Sequence, residues 1–501
     1  MSLFLLLSLA LALLTAWCLR SYFRLRHIPG PFPSAWTDVP RALWVWSNAA
    51  HDVHIALHSK YGKLVRFGPN MVSVQDPAEI KRIYDFTGSF RKSDFYHVLM
   101  FYAKGKPVPT IFATQDEVLH RRLRKPIAPT YSMSNLISLE RYVNVTMSVL
   151  FNQLESRFAT DNIVCDLDKW LQWFAFDVMG ELTFSRRLGF LERGADVDGI
   201  IDNIWQYFRR ASPVSQIPWV DYLWTKNPLL QRLRSVRANP VVSFAVARVQ
   251  ERQKNEAADQ TAKVNENDFL ARFMAAIRND SSIPPFALTV WTTSNVAAGS
   301  DTTAILLRTV FHSLLANPES MSRLLAELDH AAASGRLSNP ATWREARELP
   351  YLDAVIKEAG RLHPPFGLPL ERVVPASGAT VCGQALPPGT VVGMSAWVVH
   401  RDPGTFGHDC NEWKPERWIG ISPEKRRTME NALLTFGAGH RVCLGKNIAH
   451  LEVYKLIPSL LQTFTFQLAD PSNRHWKVEN RWFVNQTGLK VLIKRRESTN
   501  V

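Results

Sequence analysis

The first apolar block of the chain, residues 3–19 (LFLLLSLALALLTAWCL), is interrupted only by Ser8 and Thr15. A helix of that length is at the lower limit for crossing a bilayer core of about 30 Å. No Lys or Arg precedes the block, while Arg20, Arg24, Arg26 and His27 follow it at once. That asymmetry leaves the short N-terminus across the membrane and the rest of the chain in the cytosol. A cleaved secretory signal would carry a basic start and a small-residue cleavage site, and neither is clear here. Residues 1–27 are therefore expected to form a single-pass transmembrane anchor, and residues 28–501 the folded body. Pro29-Gly30-Pro31-Phe32-Pro33 cannot continue a helix and marks the joint between them.

Beyond the joint, short β-branched runs between Leu64 and Val74, punctuated by Gly62 and Gly68-Pro69, predict strands of a small sheet. Asp116 to Lys125 predicts a very basic helix with His120 and Arg124 on one face. Residues 140–280 alternate amphipathic stretches with loops. Among them Trp170 to Met179 has the apolar density of a core helix. The run Ile217-Pro218-Trp219-Val220-Asp221-Tyr222-Leu223-Trp224, between Pro213 and Pro228, is aromatic and broken by proline. Pro285 and Pro318 bracket a continuous helical pattern of about 30 residues, roughly 45 Å long. A further helix follows Pro350 and ends before Pro364-Pro365. Thr390–Val392 and Met394–Val399 predict strands of a second small sheet.

Length alone, 501 residues, suggests two or three domains. The 46% hydrophobic content excludes wholesale disorder. The cysteines, Cys18, Cys165, Cys382, Cys410 and Cys443, are odd in number and scattered. They suggest neither a disulfide framework nor a zinc site, and fit a reducing compartment. The net charge of +14 is spread along the chain without a nucleic-acid motif. An anionic membrane surface or an acidic protein partner explains it better, and a simply solvated basic surface is also compatible.

Two stretches carry chemistry. Phe436-Gly437-Ala438-Gly439-His440-Arg441-Val442-Cys443-Leu444-Gly445 sets one cysteine in a glycine-rich loop, just before the apolar helix Lys446 to Leu461. Glycines let a flat ligand approach the main chain. A helix N-terminus with Arg441 nearby favours a thiolate. A buried structural cysteine is the plain alternative. The second stretch, Ala298-Gly299-Ser300-Asp301-Thr302-Thr303, puts poor helix formers in the middle of the longest helix. Gly299 would leave room for a ligand against the helix, or serve close packing. A threonine hydroxyl could bond back to a carbonyl or be presented to a guest.

The spacing Phe-x-x-Gly-x-Arg-x-Cys-x-Gly resembles the haem-binding loop of the cytochromes P450, and the Ala298–Thr303 run resembles that family's oxygen-activation motif. The likeness extends over nearly all of the chain. It implies one mainly helical domain with small β-sheets at one edge, in addition to the N-terminal anchor. Cys443 would be the axial ligand of haem iron, with Phe436, Arg441 and Gly445 in its loop. His120, Arg124 and Arg372 match positions that meet a haem propionate. Asp301 and Thr302 match the proton-delivery pair. Glu358, Arg361 and Arg417 match the family's Glu-x-x-Arg pair and its third partner, a buried network that fixes the cysteine loop. Trp482-Phe483-Val484 matches a loop that can line the substrate pocket, and Ile217–Trp224 the loop of the active-site roof. The implied activity is insertion of one oxygen atom from O2 into an apolar small molecule. Electrons would come from NADPH through a separate membrane-bound reductase, because no nucleotide fingerprint or iron–sulfur cysteine set is present. The expected location is the endoplasmic reticulum membrane.

Phe90-Arg-Lys-Ser-Asp-Phe-Tyr and Phe176-Asp-Val-Met-Gly-Glu-Leu-Thr-Phe look like the fungal, pisatin-demethylase-like branch. Its members act in secondary metabolism or detoxify plant defence compounds as demethylases or hydroxylases. A haem-thiolate isomerase or dehydratase would need no O2, and the intact Asp301-Thr302 pair argues against it. A non-catalytic haem sensor would need neither that pair nor a reductase.

Overall fold

The computed structural model describes residues 2–103, 106–227, 229–230, 240–257, 267–472 and 476–497. Pro228, expected to close the aromatic run, lies outside them. The long helix forms as the bracketing prolines require. Helix α6, Ala287–Ala316, runs for 30 residues with most of its side chains buried. It packs along α4, Leu167–Phe184, the helix that contains the Trp170–Met179 run. It also meets α7, Pro350–Leu362, and α8, Lys446–Thr463. One large apolar core joins these helices, and the body is mainly helical with small sheets.

The principal sheet is built from remote segments. Strands β1 (Leu64–Gly68), β2 (Met71–Val74), β3 (Arg91–Lys92), β4 (Arg372–Val373) and β5 (Val391–Gly393) lie in the order β1-β2-β5-β4-β3. The strand expected at Thr390–Val392 therefore joins the first sheet and not a second one, pairing in parallel with β2 through Val391 and Met71. Met394–Val399 is not a strand. Ala396–Val399 forms a single helical turn, with the Ser395 carbonyl accepting from the N–H groups of Val398 and Val399. Ala396, Trp397, Val398 and Val399 are buried, and a short run buried all round carries no period that separates strand from helix.

Helix α1, Ser2–Arg24, contains the expected anchor. Among the described residues, however, no helix is long and apolar enough to cross a membrane. The apolar part ends where Arg20 begins the basic cluster, short of the about 20 residues that a span takes. The end of α1 is fastened to the body. Arg66, buried on β1, donates to the carbonyls of Ser21 and Tyr22 at 2.9 and 3.1 Å and to that of Pro69 at 2.7 Å. Tyr22 stacks on Trp36 at 4.7 Å, and Arg24 donates to the Pro388 carbonyl at 2.7 Å. Leu25 is fully buried in the small core behind the sheet.

Candidate active site

The cysteine loop is shaped by two glycines in the left-handed region, Gly437 at φ 69° and Gly439 at φ 65°. A Cβ on Gly439 would collide with the Tyr84 carbonyl oxygen, so only glycine lets the loop rest on that backbone. The Cys443 N–H donates to the Phe436 carbonyl at 2.8 Å, closing the loop. Phe436 meets His450 edge-on at 5.1 Å, which ties the loop to α8. Cys443 lies deep in the molecule and yet its side chain is exposed, so its sulfur faces an internal space. A Cβ built on Gly445 would point into that same space, meeting only the Cys443 Sγ, at 4.0 Å.

Burial pushes the Cys443 thiol up, while the N–H groups of Gly445 and Lys446 and the charges of Arg124 and Lys446 pull it down. The expected help from Arg441 is absent. Its guanidinium forks onto the Glu117 carboxylate, at 2.8–3.2 Å, and reaches the Ile111 carbonyl. Arg124 takes that electrostatic role instead.

A second uncovered stretch lies on α6, which packs against α8. Ala298 is the one exposed residue of this helix, and Gly299 and Thr302 beside it are half-buried. Thr302 Oγ1 donates to the Ala298 carbonyl at 2.9 Å. Asp301 turns the other way, toward α4, where its carboxylate accepts from Gln172 Nε2 and the second oxygen has no partner among the described residues. Burial raises its pKa to about 6 against the opposing pull of Gln172 and Arg308. Gly299 does not make room for a ligand. A Cβ there would lie 2.7 Å from the Met179 sulfur, so this glycine lets α6 approach α4.

His120, Arg124, Arg372 and Arg441 are brought to one region, joined by a residue the sequence reading missed, Lys92. Asp116 caps the basic helix α3, Glu117–Arg124, by accepting from Val118 and Leu119 N–H groups. His120 is buried; its pKa is lowered to about 2 by desolvation and then by the charges of Arg441, Arg124, Lys92 and His440. Its Nε2 has no partner among the described residues. Lys92 feels Arg372, Arg441 and Arg124 as cationic neighbours, with Glu117 acting against them. Glu117 is the one described carboxylate within ion-pair distance of any member of this group. A buried cationic cluster with an orphaned imidazole nitrogen, beside an uncovered thiol, fits a flat group that carries carboxylates at one edge and a metal at its centre. The residues present therefore fit haem.

The expected network behind the loop is present. Glu358 and Arg361 are fully buried and joined by two hydrogen bonds of 2.8 Å. Arg417 adds a third at 2.9 Å and the Trp418 indole a fourth at 2.9 Å. The network reaches the loop through His400 and Thr435. His400 takes the Arg361 carbonyl on Nδ1 at 2.9 Å and the Leu434 N–H on Nε2 at 2.7 Å. Thr435 donates to the Gly360 carbonyl at 2.9 Å. Trp482 and Phe483, at the tip and start of the second strand in the hairpin β6 (Lys477–Arg481) and β7 (Phe483–Thr487), are buried among aromatic neighbours. Trp482 lies 5.0 Å from Phe95 and 5.2 Å from Phe366, and Phe483 lies 4.8 Å from Phe208.

A cysteine-centred loop, a long continuous helix uncovered at Ala298 and Thr302 and a carboxylate-seeking cationic rim define a haem-thiolate protein. A family model for cytochrome P450 matches residues 29–493, and the chain belongs to that family. A cytochrome P450 monooxygenase of Aspergillus terreus is 59% identical over 448 residues, 89% of this chain and 91% of its own length. The monooxygenase cicH of Emericella nidulans is 50% identical over 97% of both chains. The monooxygenase mpaDE of Penicillium roqueforti is 47% identical over 96% of this chain and 57% of its own length. Haem bound through a cysteine thiolate, with electrons from a separate redox partner, is the family's cofactor chemistry.

Proposed function

We propose that this chain is a fungal monooxygenase of secondary metabolism that hydroxylates or demethylates an apolar small molecule. Haem held through Cys443 supplies reductive activation of O2. The observation that carries the reading is an uncovered thiol in the loop before α8 together with the uncovered positions Ala298 and Thr302 on α6, which packs against α8. Arg124, His120 and Arg372 would hold the carboxylate edge. Thr302 presents the hydroxyl of the uncovered stretch. Asp301, poised near pKa 6, would hold a proton behind it within reach of neutral pH. The fungal monooxygenases to which the chain is similar support the metabolic assignment.

Electrons would come from NADPH through a separate reductase. The body would sit on the cytosolic face of the endoplasmic reticulum, attached through residues 1–27. Apolar side chains support that attachment: Phe4, Leu5, Leu9, Leu13 and Trp17 on α1 are exposed. So are Leu43 and Trp46 on α2, Val39–Trp46, and Trp219, Leu223 and Trp224. The elements that carry the latter two groups both contact α5, Ile200–Ser215, and exposed apolar side chains are of the kind interfaces bind.

The deciding experiment is reductase-dependent NADPH consumption, with and without candidate substrate. Substrate-stimulated consumption with oxygenated product supports the monooxygenase. Turnover of an oxygenated substrate without NADPH or O2 would establish the isomerase or dehydratase instead.

A further inference from the structure

Helices α2 and α5 and strand β6 pack against one another and leave between them a cavity of about 160 Å3. Its polar walls come from three segments remote in sequence: Asn48 just after α2, Arg209 and Ser212 on α5, and Arg481 at the end of β6. Val45 and Phe208 supply apolar wall, and both pack in the cluster that holds Trp482 and Phe483. The cavity reaches the surface at Trp46 and Arg209, which are exposed.

These polar groups are not spent on one another. Ser212 is 1% exposed, and its hydroxyl has no partner among the described residues. A buried hydroxyl left in that state is costly until a ligand bonds it. Arg209 forms no ion pair among the described residues. Asn48 holds the left-handed backbone that asparagine tolerates, at φ 62°. Its carbonyl accepts from the Asn480 N–H at 2.8 Å and its Oδ1 from Arg481 Nε at 3.3 Å, which leaves its amide N–H groups to donate. Arg481 is held in place by that bond, by the Trp205 ring at 5.6 Å and by Glu479 at 3.1 Å on Nη2. Its Nη1 remains unbonded among the described residues. Glu479 is shared with Lys477 at 3.3 Å and does not line the cavity.

Donors converging from three walls suit an anion with oxygens on every side. A carboxylate is flat, and one guanidinium fork satisfies it; a phosphate is neither. Arg209, Arg481 and Lys477 outweigh Glu479, so a ligand of net negative charge gains and a cationic group attached to it loses. At the mouth, Trp46 is 75% exposed, and Leu43, one turn earlier on α2, is exposed as well. A free anion in water makes no use of them, whereas indole rings settle at headgroup level on a bilayer. We propose that this cavity holds the phosphodiester of an anionic phospholipid, with Leu43 and Trp46 turned toward its acyl chains. The proposal deepens the membrane attachment proposed above and rests on it.

The test uses full-length wild type, Arg209→Gln, Arg481→Gln, Ser212→Ala and a control, Arg210→Gln. The control removes the same charge from the next exposed position on α5, outside the cavity. Each protein is titrated with vesicles of phosphatidylcholine alone and of phosphatidylcholine mixed with phosphatidylglycerol, whose phosphodiester carries no ammonium. Helix α1 is common to all, so the ratio of the two binding constants reads the headgroup. Wild type should prefer the mixed vesicles. Arg209→Gln and Arg481→Gln should cut the ratio about tenfold, the factor one charge-assisted contact supplies. Ser212→Ala should cut it about threefold, as for one neutral hydrogen bond, with thermal stability kept. Arg210→Gln should stay close to wild type. Should Arg481→Gln fail to fold, Arg209→Gln against Arg210→Gln decides in the same way. Equal losses from those two would overturn the site in favour of diffuse surface charge. Wild type that binds both vesicles alike overturns the site and leaves attachment standing, whereas wild type that binds neither overturns attachment itself. Inorganic phosphate that abolishes the preference, where chloride of equal ionic strength does not, would make the ligand a free anion and overturn the lipid.

Discussion

Glu358 takes both Arg361 and Arg417 on one carboxylate, at 2.8 and 2.9 Å, in a site from which water is excluded. Arg361 extends the contact to the carbonyls of His400 and Cys410 at 2.9 and 2.5 Å. Two guanidinium groups left without their acid are expensive, about 3–5 kcal/mol for one broken buried pair. Glu358→Ala should therefore yield insoluble or haem-free protein. A soluble, haem-loaded and active variant would sink the structural role.

Cys443→Ala should abolish the thiolate-type absorption of the reduced carbon-monoxide complex. Cys165 and Cys410 are buried structural thiols, both raised by burial, and neither stands in a comparable loop. Survival of the band in the variant would show that another residue is the ligand.

Thr302→Ala removes one hydroxyl that bonds back to Ala298. Alanine is the better helix former, so thermal stability and haem content should hold. Product formed per NADPH consumed should fall several-fold, with hydrogen peroxide rising to match. An unchanged ratio would release Thr302 from proton delivery.

Acid should destabilise the body. Burial lowers the pKa of His363 and His400 to about 3 and of His58 and His450 to about 4. Above pH 6.5 these rings are neutral whether folded or not. Between 6.5 and the folded values only the unfolded chain binds the proton, so stability falls as pH falls. Each ring costs about 2 kcal/mol by pH 5. Asp177 and Asp301, raised to about 6, act in the opposite direction below pH 6 and offset part of the loss. The unfolding midpoint at pH 5 should lie below that at pH 7, and His363→Gln should flatten the difference.

Two truncations separate attachment from folding. Removing residues 2–20 should release much of the protein from microsomes with haem binding intact. Removing residues 1–27 also deletes Leu25, fully buried in the sheet-side core, and should cost a further 2–5 kcal/mol or so. A full-length protein no more bound to microsomes than the 2–20 deletion would contradict attachment through α1.

Elements with local signals were legible in advance. Helix α6 fills the space between Pro285 and Pro318 because proline and apolar periodicity act within a few residues. The cysteine loop and the Glu358–Arg361 pair carry their spacing in the chain. What escaped depends on remote partners. β5 joins β2 through Val391 and Met71, and Lys92 finds Arg372 only in the assembled sheet. Of the two readings of Gly299, close packing holds, because this face of the helix meets Met179 of α4. Arg441 is held away from its expected role at the sulfur by a remote acid, Glu117, which takes its guanidinium.

The fastening of α1 by Arg66 has a bearing on how the molecule stands. A leash lets a domain tumble beside its attachment, whereas a bracket does not. With the carbonyls of Ser21 and Tyr22 near the end of α1 gripped by a guanidinium rooted in the sheet, turning the body about the helix axis would break these contacts. A surface that held α1 would therefore favour one attitude of the body over others.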